Sequence, residues 1–197
     1  MASERFEKQL AFCLELDKEK NVFRQTHLSG HGRRENDAEH AWHMALMAFL
    51  LSEYANEPVD IGKTMAMCLI HDVVEIDAGD TYAYDEAGLQ TQREREERAK
   101  QRLFSLLPED QARRLSALFE EFEEGVSPEA RFAHAMDNLQ PFILNDSNEG
   151  GDWVEHGVKE SQILKRQEGT LAGSTSIWTY IRERIAVYVD RGIIRKG

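Results

Sequence analysis

Apolar residues recur along most of this chain at three- and four-residue intervals, the period of an amphipathic helix, and strict alternation is scarce. Between residues 3 and about 20, Phe6, Leu10, Cys13 and Leu14 share one face. Residues 21–35, with Gly30 and Gly32, read as a polar connection. Asn36 then reads as an N-cap, and Glu39 three residues on completes a capping-box pattern. The helix it opens runs to about Tyr54 along Ala41, Met44, Ala48 and Leu51. Ala45, Met47, Phe49 and Leu50 widen that stripe, which predicts a central helix.

Asp60 opens another helix, through Met65, Leu69 and Ile70 to near Ile76, and residues 77–80 read as a turn. Residues 81–90 show no period. A densely charged helix is predicted over 92–107 and an amphipathic one over 109–124, the latter closed by Gly125. Ser127-Pro128 restarts a helix with a cap and a first-turn proline. It carries Phe132, Met136, Leu139 and Ile143, with Pro141 inside it at a position where proline can kink a helix. Residues 145–152 read as a loop, followed by helices over about 153–168 and 175–191. The expectation is an all-α fold of about seven to nine helices in one domain, 1–197. Its last two helices pack on a motif core of about 20–145.

Composition narrows the function. Hydrophobic residues at 41% and charged residues at 30% are ordinary for a globular chain. A formal net charge of −12 repels a polyanion and argues against long DNA or RNA as a partner. A small nucleotide remains compatible, because one metal and one or two arginines reverse the potential inside a pocket. Cys13 and Cys68 are far apart and lie among apolar residues, so reduced thiols are expected. The N-terminal segment has no apolar signal region, and no apolar stretch approaches the ~20 residues of a membrane span. The expected location is the cytoplasm, with no membrane partner.

Three segments carry chemistry. In His71-Asp72-Val73-Val74-Glu75, His71, Asp72 and Glu75 project from adjacent positions on one helix face. An imidazole beside a carboxylate is half of a transition-metal site, although His-Asp alone also suits a charged helix end. His40 lies in the first turn of the helix opened by Asn36, beside its apolar stripe. Asp137 is embedded among apolar neighbours, where a carboxylate needs a cation, a metal or several donors; an arginine such as Arg131 is one such partner.

The order His40, then His71-Asp72, then Asp137, each on its own helical segment, resembles the HD-domain superfamily of metal-dependent phosphohydrolases. The stretch Glu35-Asn36-Asp37-Ala38-Glu39-His40 and the pattern His71-Asp72, Glu75, Gly79-Asp80 are similar to the bacterial 5′-deoxynucleotidase branch and its eukaryotic relatives. The resemblance covers roughly residues 20 to 145. It implies a helical bundle and one divalent metal held by His40, His71, Asp72 and Asp137. It implies that Glu75 orients or deprotonates the attacking water, and that Asp80 handles a proton or a sugar hydroxyl. Arg24 is the match to a substrate-contacting arginine, and Arg33 is a second candidate for the phosphate. Gln25 stands where these deoxynucleotidases can place a tryptophan.

A site of two imidazoles and two carboxylates suits Mn, Co, Fe or Zn better than Ca. Without a cation its carboxylates repel one another, so metal is expected to add stability. The activity implied is a 5′-nucleotidase acting on a small nucleotide, a (deoxy)ribonucleoside 5′-monophosphate. The alternatives are a guanosine tetraphosphate-type or phosphodiester hydrolase, or a non-catalytic nucleotide-binding regulator. Ile76 after Glu75 counts against the first, and retention of all the expected positions counts against the second. His134, one turn before Asp137, is a candidate neighbour of the site. Relatives of this branch are often dimers. The helix bearing Ile177, Trp178, Ile181, Ile185 and Val189 would supply a homodimer interface or close the core.

Overall fold

A computed structural model describes residues 3–197; Met1 and Ala2 of the expected domain lie outside the described residues. The chain opens with helix α1 (Glu4–Leu16), capped by Ser3 and continued by a 3₁₀ turn, Asp17–Asn21. Then follow α2 (Asp37–Leu51), α3 (Ile61–Ile70), α4 (Glu75–Ala78), α5 (Glu86–Phe104), α6 (Glu109–Glu124) and α7 (Pro128–Ser147). The C-terminal part adds α8 (Gly151–Glu155), α9 (Glu160–Arg166), α10 (Thr170–Gly173) and α11 (Thr175–Asp190). The fold is all-α; the described residues form eleven α-helices against the seven to nine expected, the excess lying in the short α4, α8 and α10.

The capping chemistry read from the sequence is present. Asn36 Oδ1 accepts from the Glu39 amide at 3.0 Å, and the Glu39 carboxylate accepts from the Asn36 amide at 3.1 Å. Ser127 caps α7 ahead of Pro128, and Gly125 closes α6 at φ +63°, where a side chain would be strained.

The expected connection over 21–35 departs from its reading. It forms an antiparallel hairpin, β1 (Phe23–His27) and β2 (Arg34–Asn36), with Phe23 opposite Asn36 and His27 opposite Arg34. Its signal is weak because its fixation is tertiary. Asp152 accepts from the His27 amide at 3.1 Å and lies 2.7 Å from His27 Nδ1. Asn148 accepts from the His31 amide at 2.9 Å and donates to the Leu28 carbonyl at 3.0 Å. Those two residues belong to the stretch read as a loop, 145–152. There α7 runs on to Ser147 and α8 begins at Gly151.

The helix expected to reach Ile76 stops at Ile70. His71 Nδ1 lies 2.9 Å from the Cys68 carbonyl, and the backbone tightens to i→i+3 bonds, Val73 to Ile70 and Glu75 to Asp72. Gly79, at φ +74°, then turns the chain away. The helix predicted from 92 begins six residues earlier, on Asp85, whose carboxylate accepts from the amides of Ala87 and Gly88.

Helices α2, α3 and α7 pack together, and α11 closes over α7. Their core holds Met44, Met67, Phe132, Met136, Ile181, Ile185 and Tyr188. A second cluster, Phe12, Val73, Val74, Ala99, Leu103, Phe104 and Phe119, joins α1 to α5 and α6. The α11 stripe therefore closes the core at Ile177, Ile181 and Ile185, with Trp178 and Val189 half-buried. In α2, Phe49 and Leu50 are exposed, against their assignment to the buried stripe; Ala45 and Met47 are buried beside Met44. Contact between α10 and α7 depends on Gly173, where an added Cβ would come within 2.2 Å of the Arg131 carbonyl. Among the described residues no helix is long and apolar enough to cross a membrane.

Candidate metal centre and active site

The three packed helices deliver the expected residues to one place. His40 comes from the first turn of α2, His71 and Asp72 from the tight turn after α3, and Asp137 from the middle of α7. One ligand atom each from His40, His71 and Asp72 lies within 4.8 Å of the others. His40 Nε2 is 3.2 Å from Asp137 Oδ1 and 3.8 Å from Asp72 Oδ2. His71 Nε2 is 3.0 Å from Asp72 Oδ2 and 3.9 Å from Asp137 Oδ1. All four residues are buried.

The hydrogen-bond network behind His40 determines what this cluster can hold. Gln140, fully buried on α7, has its Nε2 against two acceptors, Glu35 Oε2 at 2.8 Å and His43 Nδ1 at 3.2 Å. The amide nitrogen must donate there, so Gln140 Oε1 accepts from His40 Nδ1 at 2.8 Å. That leaves the Nε2 lone pair of His40 facing the Asp137 oxygen, with no proton between them. Burial, followed by the charge of Arg24, lowers the His40 pKa to about 4 and keeps the ring neutral. His71 Nε2, though close to Asp72, has no aligned hydrogen-bond partner and is buried. Two imidazole nitrogens and two carboxylate oxygens converge there, a donor set that fits a divalent transition ion.

The surrounding charges agree. Burial alone would lower His71, but the carboxylates of Asp72 and Asp137 raise it to about 9, so that nitrogen holds a proton at neutral pH in the place a divalent ion would take. Burial would raise Asp72 and Asp137. The charges of His71 and Arg24 outweigh it at Asp72, and those of Arg166 and His71 outweigh it at Asp137, so both carboxyls stand below their ordinary range.

Arg24, on β1, donates to Asp72 Oδ2 at 2.7 Å, approaches Asp37 Oδ1 at 3.4 Å and lies 3.9 Å from Glu35 Oε1. It thus joins the hairpin to the metal cluster. A second carboxylate group, Asp37, Glu75 and Asp80, also lies within 4.8 Å of one another. Asp37 Oδ2 and Glu75 Oε2 are buried without partners. Burial, then the charge of Asp72, pushes Asp37 up to about 8 and raises Glu75 well above its ordinary value. Burial also raises Asp80.

His71, Asp72 and Asp137 of the first group and Glu75 and Asp80 of the second line one pocket of about 260 Å³, with Tyr82, Tyr84, Phe142 and Trp153 among its walls. Arg33 lies elsewhere. Its exposed guanidinium pairs with the Glu39 carboxylate and the Arg34 carbonyl, and it does not line the pocket. Its assignment to the phosphate is therefore corrected, because the capping-box glutamate holds it on the surface. The partner of Asp137 is Arg166, at 2.7 Å, whereas Arg131 pairs with Glu57.

Sequence reading missed Gln140, Glu35, Asp37 and Arg166. Asp37 carried a signal, one turn before His40 in the motif segment; Arg166, on α9, carried none. His134 does line the pocket, yet its Nε2 donates to the Phe122 carbonyl at 2.7 Å and its ring stacks on Phe122.

A family model described as the HD domain matches residues 16–178. The chain belongs to the HD-domain family. This HD-domain chain is similar to a solved structure from Magnetospirillum magnetotacticum described as a predicted metal-dependent phosphohydrolase. The two share 49% identity and a TM-score of 0.92, over 96% of this chain and 95% of that one. It is 31% identical over 111 residues to human 5′-deoxynucleotidase HDDC2, covering 56% of this chain and 53% of the relative. The bovine protein is 32% identical over 109 residues, covering 55% and 52%. The chain thus spans about half the length of these curated relatives. A conserved hypothetical protein from Pyrococcus furiosus, 22% identical with a TM-score of 0.58 over 88% of this chain and 99% of that one, shares the fold.

Proposed function

We propose that this HD-domain protein is a metal-dependent phosphomonoesterase that releases phosphate from nucleoside 5′-monophosphates, deoxyribonucleotides foremost. The observation that carries the reading is the convergence of His40, His71, Asp72 and Asp137 near Glu75, whose Oε2 is buried without a partner. The 49% identity to a predicted metal-dependent phosphohydrolase and the likeness to 5′-deoxynucleotidases support the class and the substrate, respectively. The aromatic walls at Tyr82, Tyr84 and Trp153 suit a nucleoside, and they offset the absence of an aromatic at Gln25.

In this reading His40, His71, Asp72 and Asp137 hold one divalent ion, whether Mn, Co, Fe or Zn. When bound, the ion supplies Lewis acidity, offsetting charge on a phosphoryl oxygen and acidifying water. Glu75 accepts the proton of the attacking water as the new oxygen–phosphorus bond forms. Burial and then the charge of Asp72 raise its pKa, which strengthens it as a proton acceptor. The bond from phosphorus to the 5′ oxygen breaks, and Asp80 delivers a proton to the leaving nucleoside. Arg24 holds Asp72 and Asp37 in place behind these groups.

The test is phosphate release from a panel of ribo- and deoxyribonucleoside monophosphates, guanosine tetraphosphate and a cyclic dinucleotide, with Mn or Co added. Monophosphates should be turned over, and Glu75→Gln should lower kcat at least about 100-fold with metal content unchanged. Turnover of guanosine tetraphosphate alone, or of nothing by metal-loaded protein, would replace this reading with one of its two alternatives.

A further inference from the structure

The pocket is strongly acidic, yet on the reading above it must admit a dianionic phosphate. Asp72, Glu75, Asp80 and Asp137 line it, with Glu96 and Glu123 at its side. Its two arginines are not equivalent. The Arg24 side chain is 13% exposed, and its guanidinium is engaged by Asp72 and Asp37. Arg166 is 38% exposed. Among the described residues its guanidinium makes one hydrogen bond, from Nη2 to Asp137 Oδ2 at 2.7 Å, which leaves its other donors open to the pocket.

Its position is well defined. Ile163, one turn earlier on α9, is buried in the main core. Gln167, the next residue, donates to the Asn138 carbonyl of α7 at 2.9 Å. Consecutive residues of the α9 end are thereby tied to consecutive residues of α7. The Asp137 carboxylate spans the remaining gap, with Oδ1 toward the imidazole of His40 and Oδ2 on the guanidinium. An anion reaching the His40–His71 pair has Arg166 beside it.

We infer that Arg166 is the phosphate anchor of the site, presenting its free N–H groups to the oxygens of the substrate phosphoryl group while one Nη2 bond steadies Asp137. This rests on the phosphomonoesterase reading, and it fills the role sought at Arg33. A guanidinium fork suits the oxyanion geometry, and charge-assisted bonds of this kind are the strong ones.

The experiment titrates inorganic phosphate calorimetrically into Mn-loaded wild type, Arg166→Ala and Arg166→Lys, with Mn affinity measured separately by chelator competition. Arg166→Ala should weaken phosphate binding about 10- to 100-fold, the range for a lost bond to a charged group. Mn affinity should change little. KM for a mononucleotide should rise with the phosphate constant, while inhibition by the free nucleoside stays put. Arg166→Lys should recover part of the loss, since it keeps the charge without the fork. Unchanged phosphate binding in Arg166→Ala overturns the inference. So does a loss of Mn affinity as large as the loss of phosphate affinity, which would reduce Arg166 to a positioning residue for Asp137. If wild type binds phosphate through Arg166 but cleaves no nucleotide, the phosphomonoesterase reading falls and the anchor stands.

Discussion

Replacing Gln140 by Leu tests whether the network behind His40 prepares it for metal. The change keeps the side chain's bulk and removes an acceptor from His40 Nδ1 and a donor from Glu35 and His43, with contacts of 2.8, 2.8 and 3.2 Å. His40 then loses the partner that holds its proton on Nδ1, and the ring is free to place that proton on the metal-facing nitrogen. Loss of such a supporting partner typically costs 10- to 100-fold in metal affinity, or about 1.4–2.7 kcal/mol. Glu35 makes the case sharper. Burial, opposed chiefly by Arg24 and then by the bond from Gln140, has already pushed it up to about 7, so it cannot take over as a well-solvated partner. Chelator competition with Mn or Co on folded Gln140→Leu reads the effect directly. Gln140→Glu retains an acceptor for His40 and should bind metal more tightly than the Leu variant. Equal metal affinity in wild type and Gln140→Leu would refute the claim that this amide sets the tautomer.

Three further outcomes are expected. Glu19 is buried with Oε1 unpaired, and burial followed by the charge of Asp72 pushes its pKa from 4.5 to about 7. Because the folded state holds this proton more tightly, stability falls as pH rises through that window and levels off above it. Glu19→Gln should therefore be more stable than wild type at pH 8, by up to about 3 kcal/mol, with the gap closing near pH 4; urea unfolding at both pH values that shows one constant gap would contradict this. Gly173→Ala forces a Cβ against the Arg131 carbonyl and should cost about 1–3 kcal/mol by overpacking, seen as a lower Tm; an unchanged Tm would mean α10 is free to move off α7. Arg33→Ala should leave KM for a mononucleotide unchanged, and a marked rise would return Arg33 to the substrate.

The chemistry was legible where it lay on strong helices. His40 followed a complete capping box, and Asp137 sat in the apolar stripe of a helix with both a cap and a first-turn proline, so their faces could be placed. His71 and Asp72 were legible as a pair, but the shape of their turn was not. It depends on a side chain taking a backbone carbonyl, which leaves no mark in hydrophobic periodicity. The hairpin bearing Arg24 escaped because Asp152 and Asn148, more than a hundred residues away, hold it. Arg166 and Gln140 escaped for a related reason. Each is an ordinary polar residue until the fold sets it against one ligand of the cluster. The exposure of Phe49 and Leu50 shows the converse limit, since a helix apolar on most sides does not reveal which side is covered.

Arg24 on Asp72 and Arg166 on Asp137 give the protein two resident counterions, one for each carboxylate of the cluster. Assembly of the centre need not wait for a divalent ion, because each acid already has a guanidinium to offset its charge as the helices close. Loading with metal thus becomes an event separable from folding. A preparation stripped by chelator should keep its shape and accept a new ion without refolding, which makes exchange of one metal for another in the same molecules a practical route to comparing their chemistry.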